Sequence, residues 1–122
     1  MKKLRWVLLL LSFVALPAFA QKARVHDYST RLASLLQDAQ SNAMLTPATW
    51  KAVANEANAL ANKLYAASVI NAKARKLAGD ARAHVRELHK AAMKGDADGA
   101  KAHAGMALPF VYQLIDWSAP PK

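Results

Sequence analysis

From Lys22 onward the apolar residues of this chain recur at every third or fourth position, and no stretch alternates convincingly with period two. That rhythm belongs to helices that each bury one face, so the chain reads as all-α. Alanine, leucine, lysine and arginine, all strong helix formers, fill most of the remaining positions. Glycine, which weakens helix interiors, stands only at 79, 95, 99 and 105.

Val25, Tyr28, Leu32, Leu35, Leu36, Ala39 and Ala43 share one arc and predict a first helix from Lys22 to Ala43; His26, Asp27 and Asp38 fall outside that arc. In "LTPATW", Thr46 is a good N-cap and Pro47 falls at the first helical position, where its missing N–H costs nothing. The second helix starts there and turns Trp50, Val53, Ala54, Ala57, Leu60, Ala61, Leu64 and Ser68 inward. It does not continue into the next periodic segment. At 100° per residue the face led by Ile70, Ala74 and Leu77 would point about 100–160° away from Ala57. A break at "SVIN", residues 68–71, resets the phase, with Ser68 or Asn71 as the cap.

The third helix, Asn71 to Lys94, is expected to bury an arc of Ile70, Ala74, Leu77, Ala81, His84, Val85, Leu88 and Ala92. Arg75, Arg82, Arg86 and Lys90 form a stripe on its opposite, solvent-facing side. Gly79 either costs this helix about 1 kcal/mol relative to alanine or breaks it, with Asp80 capping the part that follows. In "KGDADG", Gly95 suits the left-handed position that ends a helix, and Asp96 or Asp98 can cap the next. The fourth helix carries Ala100, His103, Ala104, Ala107, Val111 and Leu114 on one face, and Pro109 removes one backbone donor from its middle, kinking or thinning it there. Four amphipathic segments on short connections predict an antiparallel up-down-up-down four-helix bundle over residues 21–122.

Residues 1–20 read as a secretory signal peptide. In "MKKLRWVLLLLSFVALPAFAQ", Lys2, Lys3 and Arg5 precede an apolar run, Pro17 breaks it, and Ala18-Phe19-Ala20 forms a small-x-small cleavage pattern before Gln21. The run is about 15 residues long, short of the roughly 20 a spanning helix needs. The mature domain is therefore expected in the periplasm with no spanning helix. Removing three of seventeen basic residues leaves fourteen against eight acidic ones, a net charge of about +6. Behind a signal peptide that charge points to no nucleic acid. The expected partner is an unidentified periplasmic protein or an anionic envelope component.

The absence of cysteine excludes disulfides, thiolate zinc and a c-type haem attached through Cys-x-x-Cys-His. No phosphate loop, GxSxG, HExxH or EF-hand pattern occurs, and Glu56 and Glu87 are too few glutamates for a carboxylate di-iron centre. With no nucleophile–base or acid–base pair in view, the chain is read as having no catalytic residues and no enzymatic activity.

"HVRELHKAAMKGDADGAKAHAGM", residues 84–106, holds three of the four histidines and two of the four methionines. Antiparallel pairing about Gly95 sets His103 level with Glu87 and Leu88. His84 and His103 each lie about 40° from the centre of their apolar arcs, and Met106 follows His103 by one turn. The three are expected at the margin of the core, as packing residues or as a copper or haem site, with Glu87 the nearest carboxylate to orient an imidazole. No cofactor is the first reading, and copper or haem the alternative. The letters "AAMKGDADGAKAHAGM" in a secreted all-α domain resemble the periplasmic haem-binding four-helix bundles, the cytochrome c-prime class and its soluble b-type relative. That resemblance implies the fold and not haem binding. There is no Cys-x-x-Cys-His, the last helix ends "VYQLIDWSAPPK" with no ligating histidine, and no methionine stands near the start of helix one. Phe110, Tyr112, Ile115 and Trp117 cannot all face one core, and aromatic clusters of this kind mark partner-binding surfaces. The leading functional expectation is accordingly a non-catalytic binding protein. Mass spectrometry of the exported protein is expected to find Gln21 at its N-terminus; an intact Met1 would refute cleavage.

Overall fold

The computed structural model describes residues 18–42 and 45–120. They form four helices: α1 (Ala18–Ser41), α2 (Pro47–Ser68), α3 (Ala72–Met93) and α4 (Ala97–Ser118). Helices adjacent in sequence pack along each other and α1 closes the ring against α4, while α2 and α4 meet only narrowly across the diagonal. The protein is an all-α four-helix bundle, and among the described residues no helix is long and apolar enough to cross a membrane. The signal-peptide reading of residues 1–17, and Ala43, lie outside the described residues. The helix α1 begins at Ala18 rather than Lys22 and so runs through Ala20 and Gln21. Among its described side chains the first buried one is Val25.

The caps were set by local chemistry. Thr46 Oγ1 accepts from Thr49 N at 3.2 Å with Pro47 just inside α2. Asn71, not Ser68, caps α3: its Oδ1 accepts from Ala74 N at 3.1 Å. Ser68 is instead buried, its hydroxyl donating to the Leu64 carbonyl at 2.6 Å. Ser29 and Ser118 do the same to Val25 and Leu114, each at 2.6 Å. A hydroxyl folded back on the carbonyl four residues earlier is satisfied without leaving its own helix.

Ile70 departs from its expected place in the α3 arc. It is 56% exposed, because helical phase restarts only at Ala72 and Ile70 lies in the turn outside it. Gly79 does not break α3 either, which runs unbroken through it. A Cβ built there would meet the Tyr65 ring at 3.6 Å, an ordinary contact. Pro109 likewise sits inside a continuous α4, on its exposed side.

The α3–α4 turn does require glycine. Gly95 has φ 78°, Gly95 N donates to Ala92 O at 3.0 Å and Asp96 N to Ala91 O at 2.9 Å. This double bond pattern is the Schellman ending of a helix. Asp96 then caps α4 by accepting from Gly99 N at 2.9 Å. One residue thus closes α3 through its backbone and opens α4 through its side chain.

Inside, a few large side chains (Leu32, Leu36, Leu64, Leu88, Leu114) alternate with alanines at 54, 57, 61, 74, 81, 92, 100, 104 and 107, all essentially buried. Alanine at a contact lets helix axes approach toward the short end of the usual 8–10 Å range. Such an interior is filled by the helices themselves.

Two substitutions in α3 and its turn are expected to act in opposite directions. Gly79→Ala should stabilise the domain by about 0.5–1 kcal/mol, since the new methyl meets no obstacle. Gly95→Ala should destabilise it by about 1–2 kcal/mol through the left-handed backbone. Urea denaturation of both variants measures the pair; a loss of stability in Gly79→Ala would show that the Tyr65 ring needs the space.

Candidate functional site

The four histidines divide into two kinds. His26, although outside the apolar arc of α1, is half-buried, with Nδ1 3.3 Å from Ser118 Oγ. Because that hydroxyl spends its proton on the Leu114 carbonyl, the His26 ring N–H is the donor. His89 Nε2 donates to Asn55 Oδ1 at 3.0 Å, tying α3 to α2. These two rings are ordinary structural histidines.

His84 and His103 are not. Among the described residues neither forms a hydrogen bond, and the two rings stack on each other. Their centroids lie 6.0 Å apart with 30° between planes, and His84 in turn lies 5.8 Å from Phe110 with 13° between planes. Both separations fall within the offset-stacking range. The helix repeat explains the ladder. Phe110 follows His103 by seven residues, two turns and about 10.5 Å along α4, and His84 from α3 fits between them. His84 takes this place because it adjoins fully buried Val85 at the edge of the α3 arc, as His103 adjoins Ala104 on α4. Sequence reasoning paired His84 with His103 but missed Phe110 as the third ring; its seven-residue spacing from His103 was the available sign.

The His103 Nδ1 atom is buried with no hydrogen-bond partner. A nitrogen in that condition forfeits its hydration without replacement, a cost of about 1–3 kcal/mol. Met106, one turn beyond His103, is 49% exposed. Glu87, the expected orienting carboxylate, is engaged elsewhere: it lies 3.4 Å from Lys90 Nζ in an exposed ion pair. No cluster of three His, Asp or Glu able to hold a metal occurs among the described residues. The donors at this seam are therefore two imidazoles and, nearby, one thioether.

A haem does not fit here. The two rings lie against each other, and the positions beneath them (Ala81, Val85, Ala104, Ala107, Val111) are fully buried. A porphyrin would have to part α3 from α4 along several turns.

The other expected site residues disperse. Phe110, Ile115 and Trp117 are half-buried against the core, and Trp117 carries Lys22 Nζ 4.8 Å above its ring. Tyr112 is 40% exposed, its hydroxyl accepting from the Gln37 side-chain amide. The basic stripe is broken at Arg82, which is half-buried with its guanidinium 3.7 Å above the Tyr65 ring. Planar cation and aromatic face attract, so this arginine lies down on α2 where Arg75, Arg86 and Lys90 stay exposed. An open groove of about 610 Å³ between α1 and α2 was not foreseen. Leu35 and Leu60 line it beside Asp27, Arg31, Glu56 and Lys63. Asp27 and Arg31 already pair at 3.5 Å.

Replacing the orphan imidazole tests its energetic reading. His103→Leu is expected to raise stability in urea by about 1–2 kcal/mol, because an apolar side chain removes an unsatisfied atom. His26→Leu, which breaks a made bond, should lower it by about 0.5–1.5 kcal/mol. A clear loss in His103→Leu would mean that water satisfies Nδ1.

Compared with known proteins, the chain matches no family model, no curated protein and no solved structure.

Proposed function

We propose that this chain is an exported, non-catalytic helical protein that binds a protein partner through the outer side of α4. One observation carries the reading: residues 102–115, "AHAGMALPFVYQLI", contain no formally charged side chain over fourteen consecutive positions. Ala102, Met106, Pro109, Tyr112 and Gln113 of this run are exposed. The exposed sides of the other helices carry charges at intervals along their length, with Arg24, Asp27, Arg31 and Asp38 on α1, Lys51, Glu56 and Lys63 on α2, and Lys73, Lys76, Arg86 and Lys90 on α3. Charge depletion together with methionine and tyrosine characterises the centre of protein interfaces.

An anionic envelope component finds less to hold. Arg82 is turned onto Tyr65 and Lys90 is paired with Glu87, which leaves scattered exposed cations. Exposed charges more than about 10 Å apart are largely screened at physiological salt. Export to the periplasm rests on the leader; cleavage after Ala20 would remove no described core side chain, since burial on α1 starts at Val25. Catalysis lacks support because neither stacked imidazole is oriented by a second group.

A photo-crosslinking residue placed at Met106 or at Gln113 in cells is expected to give the same discrete adduct, with none from Glu56 or Arg86. Met106→Lys should abolish the adduct formed from Gln113. Adducts from all four positions alike, or from α2 and α3 alone, would overturn the α4 reading.

A further inference from the structure

We infer that the α3–α4 seam is a low-coordinate site for a soft monovalent metal ion, Cu(I), held between the imidazoles of His84 and His103 with the Met106 thioether alongside. It is separate from partner binding, although Met106 lies at the edge of both surfaces.

Three observations converge. Two of the four histidines have protein hydrogen-bond partners and two have none, and the two without partners lie on neighbouring helices against each other. Independent packing accidents give no reason for the unpartnered rings to be the adjacent ones. Next, the separation suits a bridging ion. Two imidazole nitrogens bound on opposite sides of one ion at about 2 Å each stand about 4 Å apart; centroids 6.0 Å apart leave that room once the stacked rings turn edge-on to the ion. Last, His103 Nδ1 is buried and lacks a partner. In the tautomer protonated at Nε2 this nitrogen offers an unused lone pair, and in either tautomer ring rotation toward an ion costs no existing hydrogen bond at this atom.

The donor set selects the ion. Calcium and magnesium require oxygen ligands, and the nearest candidate, Glu87, faces Lys90. Zinc is held by four ligands, commonly with thiolate or carboxylate among them, and no three-residue His/Asp/Glu cluster exists among the described residues. Two imidazoles and a thioether form a small, uncharged, soft-to-borderline set of the kind that suits Cu(I). The chain has no cysteine, so methionine supplies its only sulfur. Met106 stands one helical turn from His103 and is exposed, so its flexible thioether is free to swing toward the seam from the solvent side when an ion is bound. Phe110 closes the opposite side of His84 with its ring. The inference concerns binding alone, with no electron transfer.

The test is competition for Cu(I), held reduced by ascorbate, between the purified protein and the chromophoric chelator bicinchoninate. The wild-type chain is expected to withdraw a single equivalent. His84→Phe and His103→Phe keep a ring in each position and remove the nitrogens; each should weaken binding at least about tenfold, and Met106→Leu by less. His26→Phe and His89→Phe should bind as wild type. Circular dichroism checks that each variant is folded, and X-ray absorption of the copper-loaded protein should report nitrogen and one sulfur neighbour. Failure of the wild type to compete, or equal binding by all four histidine variants, would overturn the site. Partner adducts formed from Gln113 do not depend on this chemistry, so the two readings stand or fall separately.

Discussion

Burial of alanine on all four helices is the constraint on which the bundle depends. With no cysteine for a disulfide, cohesion must come from apolar surface brought close, and small side chains at positions such as Ala57, Ala81, Ala104 and Ala107 let the helix backbones approach near enough to exclude water. The same closeness dictates other residues. A Cβ at Gly99 would lie 3.2 Å from that of Ala91 and would crowd the Asp96 carboxylate, and one at Gly105 would lie 2.6 Å from Gln40 Nε2. At Gly99 a methyl would disturb the carboxylate that caps α4 and press on Ala91, whereas at Gly105 it would meet only the flexible end of Gln40, which can move aside. A bundle built this way has little interior to offer a ligand, which sends any binding to its seams and outer faces.

Much of the architecture was legible because it is local. Thr46 before Pro47, the phase reset at residues 68–71 and the Gly95–Asp96 turn each involve atoms within a few residues of one another, so the sequence carries the whole cause. The misplacements have equally definite reasons. Ile70 continued the apolar pattern of α3, but pattern is silent about which residues the turn itself uses. Gly79 was ambiguous because its cost in an exposed helix is small beside the packing of a helix held on two sides. Arg82 was set among exposed cations because the aromatic ring that receives it lies on another helix, seventeen positions away in sequence.

The candidate site divides along the same line. The pairing of His84 with His103 follows from hairpin register, which the turn fixes. The third ring, Phe110, and the isolation of His103 Nδ1 depend on side-chain geometry at a seam between two helices. His26 illustrates the converse: outside the apolar arc of its own helix, it still finds Ser118 on α4. Helical angle alone separates inside from outside, but whether a polar atom is satisfied depends on the neighbouring helix.

The serines folded back on their own helices have a mechanical consequence. Ser29, Ser68 and Ser118 direct their protons along their own helix axes, so none donates a bond to another helix. Side-chain hydrogen bonds between helices are left to a few rim contacts: His26–Ser118 and Gln37–Tyr112 fasten α1 to α4, and His89–Asn55 fastens α3 to α2. None of these joins α3 to α4. Beyond their shared turn, those two helices adhere by packing and by the stacked rings, and spreading them breaks no side-chain hydrogen bond among the described residues. The most extensively packed seam of the bundle, which carries the stacked imidazoles, is thus the one held without directional side-chain bonds.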